Sequence, residues 1–277
     1  MKIKKIFCFG DSITGTCVTG YDYYLGLKFY PYLLGEYFDC KIKNYGEGNN
    51  SNEKIGIDIL NVLQKENIDD SFFVIGWSSA IRRLVYMEDK QLLENINDTT
   101  ETKFWYKSSL IDTYATLNVM IVVQNLLDKM NIPYLNFFGW KSDFNLNNSS
   151  IEWLGKDYAR VNKNGKIDFF KYKANMWSNA IVDNQVKDKR HEFNFINSLT
   201  KQLNIESFIT KEFYNFLLEK GTKKRRFKFG EIPTINNEIL VMSENDLHPN
   251  ELGHELWTDE MLIPNIKRII NANTKHK

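Results

Sequence analysis

Phe7 to Gly15 reads FCFGDSITG. An apolar run breaks at Gly10-Asp11-Ser12 and continues into small and hydroxylated residues, the pattern of a strand that ends in a tight turn and lifts one side chain clear of a sheet edge. The lifted residue is Ser12. Upstream, Lys2 to Phe9 (KIKKIFCF) alternates and then becomes continuously apolar, as a strand entering a sheet buried on both faces does.

Reading outward, strand and helix patterns alternate. Tyr23 to Phe38 carries apolar residues at helical spacing, and its Gly26, Pro31 and Gly35 predict a broken or late-starting helix. Cys40 to Tyr45 (CKIKNY) is a short strand that runs into the glycine- and asparagine-rich GEGNNSN. Glu53 to Lys65 has amphipathic helical spacing, Ser71 to Gly76 (SFFVIG) is an apolar strand, Asp112 to Met130 is a long buried helix, and Ile132 to Phe138 is a fourth strand. This alternation predicts a three-layer α/β/α domain built on a parallel sheet. From about 141 to 235 the pattern weakens, which predicts a divergent insertion or cap-like region within a single domain of residues 1–277, containing at least one scaffold helix, at Lys189 to Leu203. Glu251 to Asn271 closes the chain as helix, with a kink or break at Pro264.

Composition narrows the classes. Hydrophobic residues at 43% and charged residues at 26% are ordinary for a globular protein and argue against disorder. A net charge of +1 offers no global attraction to nucleic acid or acidic lipid. No stretch approaches the roughly 18 consecutive apolar residues of a membrane-spanning helix, and Ile6 to Phe9 is too short for a signal peptide. Cys8, Cys17 and Cys40 are odd in number and lack metal-ligand spacing, so reduced thiols in a cytoplasmic-type compartment are expected.

The chemistry gathers at segments that follow strands or precede a helix, the carboxyl edge where open α/β sheets place their sites. A serine nucleophile needs a base within hydrogen-bond reach, and the base needs an acid to fix its tautomer and stabilise its charged form. Asp246-Leu247-His248 supplies both from one segment ahead of the last helical region. Either motif alone is ordinary turn or helix-cap chemistry; together they point to a Ser12, His248, Asp246 relay.

FCFGDSITG resembles block I of the SGNH (GDSL-type) hydrolases, and NDLHPNELGHELW resembles their block V, while YPYLLGEYFDCKIKNYGEGNNSN is similar to the helix, strand and block II loop between them. The resemblance is strong over residues 3–80 and 239–270 and weak between. It implies a flavodoxin-like parallel sheet, no metal or organic cofactor, and cleavage of a carboxylic ester, including an O-acetyl or O-acyl group on a carbohydrate. It also implies a triad of Ser12, His248 and Asp246. The implied oxyanion hole comprises the Ser12 N–H, a block II glycine N–H at Gly48 or the nearby Gly46, and a block III side chain.

Two positions depart from the family pattern. Strand three ends IGWSSAIRR, which puts Ser78 where block III has asparagine, with Asn49 or Asn50 as substitutes. The commonest block V spacing lands on Asn245 in place of an acid; the Asp-x-His spacing of some members selects Asp246. Asp11, Asn50, Trp77 and Arg82 are substrate-binding candidates; Arg82 and Arg83 suit an anionic group. Phe104 to Tyr106, Trp140, Trp153 and Trp177 are either a sugar- or acyl-binding wall or core. The basic run Lys223 to Phe229 (KKRRFKF) reads as a solvated loop or an anion contact, and His254 as a helix-surface residue. Rival functions are an acyltransferase using the same triad and a non-catalytic carbohydrate-binding protein on a degenerate scaffold.

Overall fold

The computed structural model describes residues 2–15, 28–80, 82–87, 92–96, 109–140, 144–146, 150–153, 159–161, 167–169, 171–173, 186–188, 190–227, 230–243 and 246–275. Asn245, Cys17, Phe104 to Tyr106 and Trp177 lie outside them. Four strands form the central parallel sheet: β1 (Lys5–Gly10), β2 (Lys41–Gly46), β3 (Ser71–Trp77) and β4 (Tyr134–Phe138). Their order is β2-β1-β3-β4. The chain leaves β1 for β2 on one side and then crosses to β3 on the other, so the carboxyl ends of β1 and β3 flank the point where winding reverses. A crevice opens there in sheets of this type.

Alternate strand residues build two cores. Ile6, Cys8, Phe72, Val74, Leu135 and Phe137 face α1 (Tyr30–Phe38), α5 (Phe213–Lys220) and the C-terminal helices. Phe7, Phe9, Phe73, Ile75 and Phe138 face α2 (Asn52–Lys65), α3 (Ser109–Lys129) and α4 (Arg190–Thr200). With both faces buried, the period-two pattern of a one-sided sheet disappears, which is why β1, β3 and β4 read as apolar runs, while the edge strand β2 is only partly buried and keeps its lysines. Each fully buried Phe or Ile contributes about 1.5–3 kcal/mol.

Pro31 sits in the first turn of α1, where its missing N–H costs nothing, so the helix starts late, at Tyr30. The irregularity expected at Pro264 takes the form of a π-helical turn just before it. α6 (Glu251–Trp257) passes through a π-helical turn at Thr258–Leu262 into α7 (Ile263–Lys275), and the wider turn absorbs the hydrogen bond that proline cannot donate. Within 141–235, Ile196, Phe208, Phe213, Phe216, Leu217 and Ile232 are core residues, so this stretch supplies scaffold from α4 onward. Lys223–Phe227 of the basic run forms a strand paired antiparallel with Gly230–Ile235. Among the described residues no helix is long and apolar enough to cross a membrane, and no group of three or more His, Cys, Asp or Glu side chains is placed to hold a metal ion.

Candidate active site

The turn after β1 is built by close approach. A Cβ at Gly10 would lie 2.1 Å from Thr14 Oγ1 and 2.9 Å from the Gly76 carbonyl oxygen, so only glycine lets the chain fold back at this point. Asp11 then organises the turn: its Oδ1 accepts the Ile13 N–H at 3.1 Å, and its carbonyl accepts the N–H groups of Thr14 and Gly15, each at 2.9 Å. The Tyr30 hydroxyl from α1 donates to Thr14 Oγ1 at 2.9 Å. Ser12 stands in this turn, at the carboxyl edge of the sheet.

The histidine arrives from the other end of the chain. Asp246–Pro249 forms β5, which pairs antiparallel with Val241–Ser243. Beyond it Asn250 caps α6 by accepting the Gly253 N–H at 2.9 Å, and its amide donates to the Ile239 carbonyl at 2.6 Å. A strand places residues i and i+2 on one face, and so Asp246 and His248 point the same way.

The three side chains meet in a line. Ser12 Oγ lies 2.8 Å from His248 Nε2, and His248 Nδ1 lies 2.6 Å from Asp246 Oδ1. A neutral imidazole protonated at Nδ1 donates to the carboxylate and leaves Nε2 to accept the serine hydroxyl. Asn245 lies outside the described residues.

Around Ser12 the loop after β2 is strapped to the same turn: the Glu47 N–H and the Asn50 Nδ2 both donate to the Gly10 carbonyl, at 3.2 and 3.1 Å. The two glycine registers are distinguished by their hydrogen bonds. Gly46 N–H donates to Asn44 Oδ1 at 2.9 Å, whereas the N–H groups of Gly48 and Ser12 have no acceptor among the described residues. Gly46 itself is pressed against the turn, since a Cβ there would come within 2.5 Å of the Gly15 nitrogen.

Ser78 is brought to this region and is fully engaged. Its hydroxyl donates to Asp11 Oδ2 at 3.1 Å and accepts from Arg82 Nη1 at 2.9 Å; the same Arg82 nitrogen donates to Asp11 Oδ2 at 2.7 Å. As an oxyanion donor Ser78 would have to release Asp11. Arg82 is therefore half of a largely buried ion pair beside the serine. Asn50 is fully buried and pins the loop after β2, while Asn49 is exposed with φ of 64°. Trp77 is not at a binding surface: it is 1% exposed, and its indole donates to Asn136 Oδ1 at 2.9 Å within the core.

Three contributors were not assigned these parts from sequence. Asn52, the first residue of α2, donates to the Ser78 carbonyl at 3.0 Å and accepts the Ser78 N–H at 2.8 Å, fixing the end of β3. Trp140 packs perpendicular to the His248 ring, with centroids 5.1 Å apart. His254, expected on a helix surface, is buried among Phe29, Tyr30 and Phe213; its pKa is lowered to about 3, chiefly by burial and then by the nearby His248.

No family model and no curated protein sequence matches the chain. Solved structures similar to it include a member of the lipolytic protein G-D-S-L family from Veillonella parvula (16% identity, 94% of this chain and 96% of that one, TM-score 0.42). A GDSL-like lipase from Bacteroides thetaiotaomicron is similar at 11% identity over 96% of this chain and 88% of that one, TM-score 0.41. An acetylxylan esterase from Geobacillus stearothermophilus is similar at 14% identity over 96% of both chains, TM-score 0.39.

Proposed function

We propose that the protein is a serine ester hydrolase working through an acyl-enzyme on Ser12. The observation that carries this is the unbroken line from Ser12 Oγ through the His248 imidazole to Asp246 Oδ1, at 2.8 and 2.6 Å. In this reading Oγ attacks the ester carbonyl carbon as Nε2 takes its proton. Asp246 stabilises the resulting imidazolium, and the oxyanion gathers at the N–H groups of Ser12 and Gly48. Collapse breaks the carbon–oxygen bond to the alcohol, which receives the proton from Nε2. Water then repeats the sequence on the acyl-enzyme and releases the acid.

The substrate class is a carboxylic ester, with O-acetylated or O-acylated carbohydrate as the narrower form. The test is covalent labelling of Ser12 by a fluorophosphonate, together with acid release from p-nitrophenyl esters and acetylated sugars, with Ser12→Ala as the blank. Labelling that persists in Ser12→Ala overturns the assignment. Acyl transfer to an added sugar in preference to water makes the protein an acyltransferase, and failure to label leaves the binding-protein reading.

A further inference from the structure

Among the described residues, the His248 ring is hydrogen-bonded at both nitrogens, Nε2 to Ser12 and Nδ1 to Asp246. Imidazole nitrogens donate and accept near the ring plane, so two partners, one at each nitrogen, leave the ring a hinge about the line that joins them. They resist rotation about the ring normal strongly and rocking about that line weakly, because hydrogen bonds tolerate bending far better than stretching. Packing has to remove the rocking motion. Among the described residues Trp140 is in place to do so: its ring stands at 87° to the imidazole with centroids 5.1 Å apart, an edge-to-face contact.

Trp140 is itself held from behind. The preceding residue, Gly139, donates its N–H to the Trp77 carbonyl at the end of β3 at 3.4 Å, and its carbonyl accepts the Tyr214 N–H of α5 at 3.3 Å. The Tyr214 ring packs on the indole with centroids 6.1 Å apart. The support of His248 is thus referred to the sheet that carries Ser12. The indole Nε1 is buried and has no acceptor among the described residues, so a hydrogen bond of its own does not fix where Trp140 sits. Ring shape does.

From this we infer that Trp140 is a positioning residue for His248: its indole plane locks the tilt of the imidazole so that Nε2 stays on the Ser12 hydroxyl. The inference rests on the serine-hydrolase reading for its consequence in turnover. The geometry it asserts is measurable without turnover.

The experiment compares Trp140→Leu, which keeps apolar bulk without a ring, with Trp140→Phe, which keeps an aromatic face and lacks the unpaired N–H. The readouts are the rate of Ser12 labelling by a fluorophosphonate, kcat and KM on p-nitrophenyl acetate, and the downfield NMR signal of the His248 Nδ1 proton, assigned by its loss in His248→Gln. Trp140→Leu should label at least about tenfold more slowly, as expected when a reacting group is misplaced. The loss should fall on kcat with KM little changed, and the Nδ1 signal should broaden. Trp140→Phe should stay within a few-fold of wild type with a sharp signal.

Labelling of Trp140→Leu at the wild-type rate overturns the proposal. So does equal loss in both variants accompanied by an equally lowered Tm, which would make Trp140 a packing residue only. If the wild type itself does not label, the hydrolase reading falls while the Nδ1 signal still decides the positioning claim: unchanged in Trp140→Leu it is overturned, broadened it is upheld.

Discussion

Asp246 Oδ1 accepts from His248 twice, from Nδ1 at 2.6 Å and from the backbone N–H at 3.0 Å. One carboxylate oxygen therefore fixes both the ring and the strand that carries it. The first prediction follows from that double role. Asp246→Asn should lower kcat by about four decades, the loss seen when an amide replaces the triad carboxylate and the tautomer inverts. Asn245→Ala should change kcat by no more than a few-fold. Steady-state kinetics on p-nitrophenyl acetate checks both, and a reversed ranking would put the acid of the relay at the wrong residue.

Asn52 clamps the backbone of Ser78 with a reciprocal pair of hydrogen bonds and reaches Thr116 Oγ1 at 3.1 Å. Asn52→Ala would leave two buried backbone groups of Ser78 unpaired, at about 1–3 kcal/mol each. Urea unfolding should show a loss of about 3 kcal/mol with an unchanged m-value. Loss of activity should accompany it, because Ser78 carries the hydroxyl that binds Asp11 beside Ser12. A loss below about 0.5 kcal/mol would mean that water replaces the clamp.

Much of this architecture was legible in the sequence because three of its central strands, β1, β3 and β4, are buried on both faces. Such strands leave short continuous apolar runs, and the helices between them keep their apolar spacing, so FCFGDSITG could be extended outward to four strands. The meeting of Ser12, Asp246 and His248 was expected for a different reason: a short turn motif and an Asp-x-His segment are each readable locally, and the fold brings them within hydrogen-bond reach. Contacts made across the fold were less legible. Nothing local to Asn52 signals Ser78, and nothing local to Trp140 signals His248. His254 was misleading because its neighbours in space come from α1 and α5 and not from its own helix face.

His254 makes stability depend on acid. Its two ring nitrogens are buried with no hydrogen-bond partner among the described residues, and burial lowers its folded-state pKa to about 3 from the ordinary 6.5. The folded protein keeps the imidazole neutral where the unfolded chain protonates it. Above pH 6.5 the group is neutral in both states and costs nothing. As pH falls below that value the unfolded state gains protons that the folded state does not, and stability declines by about 1.4 kcal/mol per pH unit until the folded pKa is reached. Between pH 7.5 and 5.0 this residue should therefore remove about 2 kcal/mol. His254→Phe suits the surrounding aromatic rings and should abolish that component. Urea midpoints of the two proteins at both pH values test it, and an identical pH dependence would exclude the buried imidazole as its source.

The ion pair of Arg82 and Asp11 separates a structural from a substrate-binding role. Asp11 is 3% exposed in its side chain and Arg82 17%, so the carboxylate depends on the guanidinium more than the guanidinium depends on it. Arg82→Met should strand the buried carboxylate and cost about 3–5 kcal/mol. Asp11→Asn should cost less, because its amide oxygen can still accept the Ile13 N–H and the freed guanidinium is partly in reach of water. Combining the two removes the stranded charge, and the double variant should recover most of the Arg82→Met loss. A double-mutant cycle in urea measures this directly: coupling below about 0.5 kcal/mol would show that the pair is effectively solvated. The same variants address substrate. If Arg82 binds an anionic group, Arg82→Met should raise KM for a carboxylate-bearing ester and leave KM for p-nitrophenyl acetate unchanged; an equal effect on both would mean that Arg82 serves the turn at Ser12 alone.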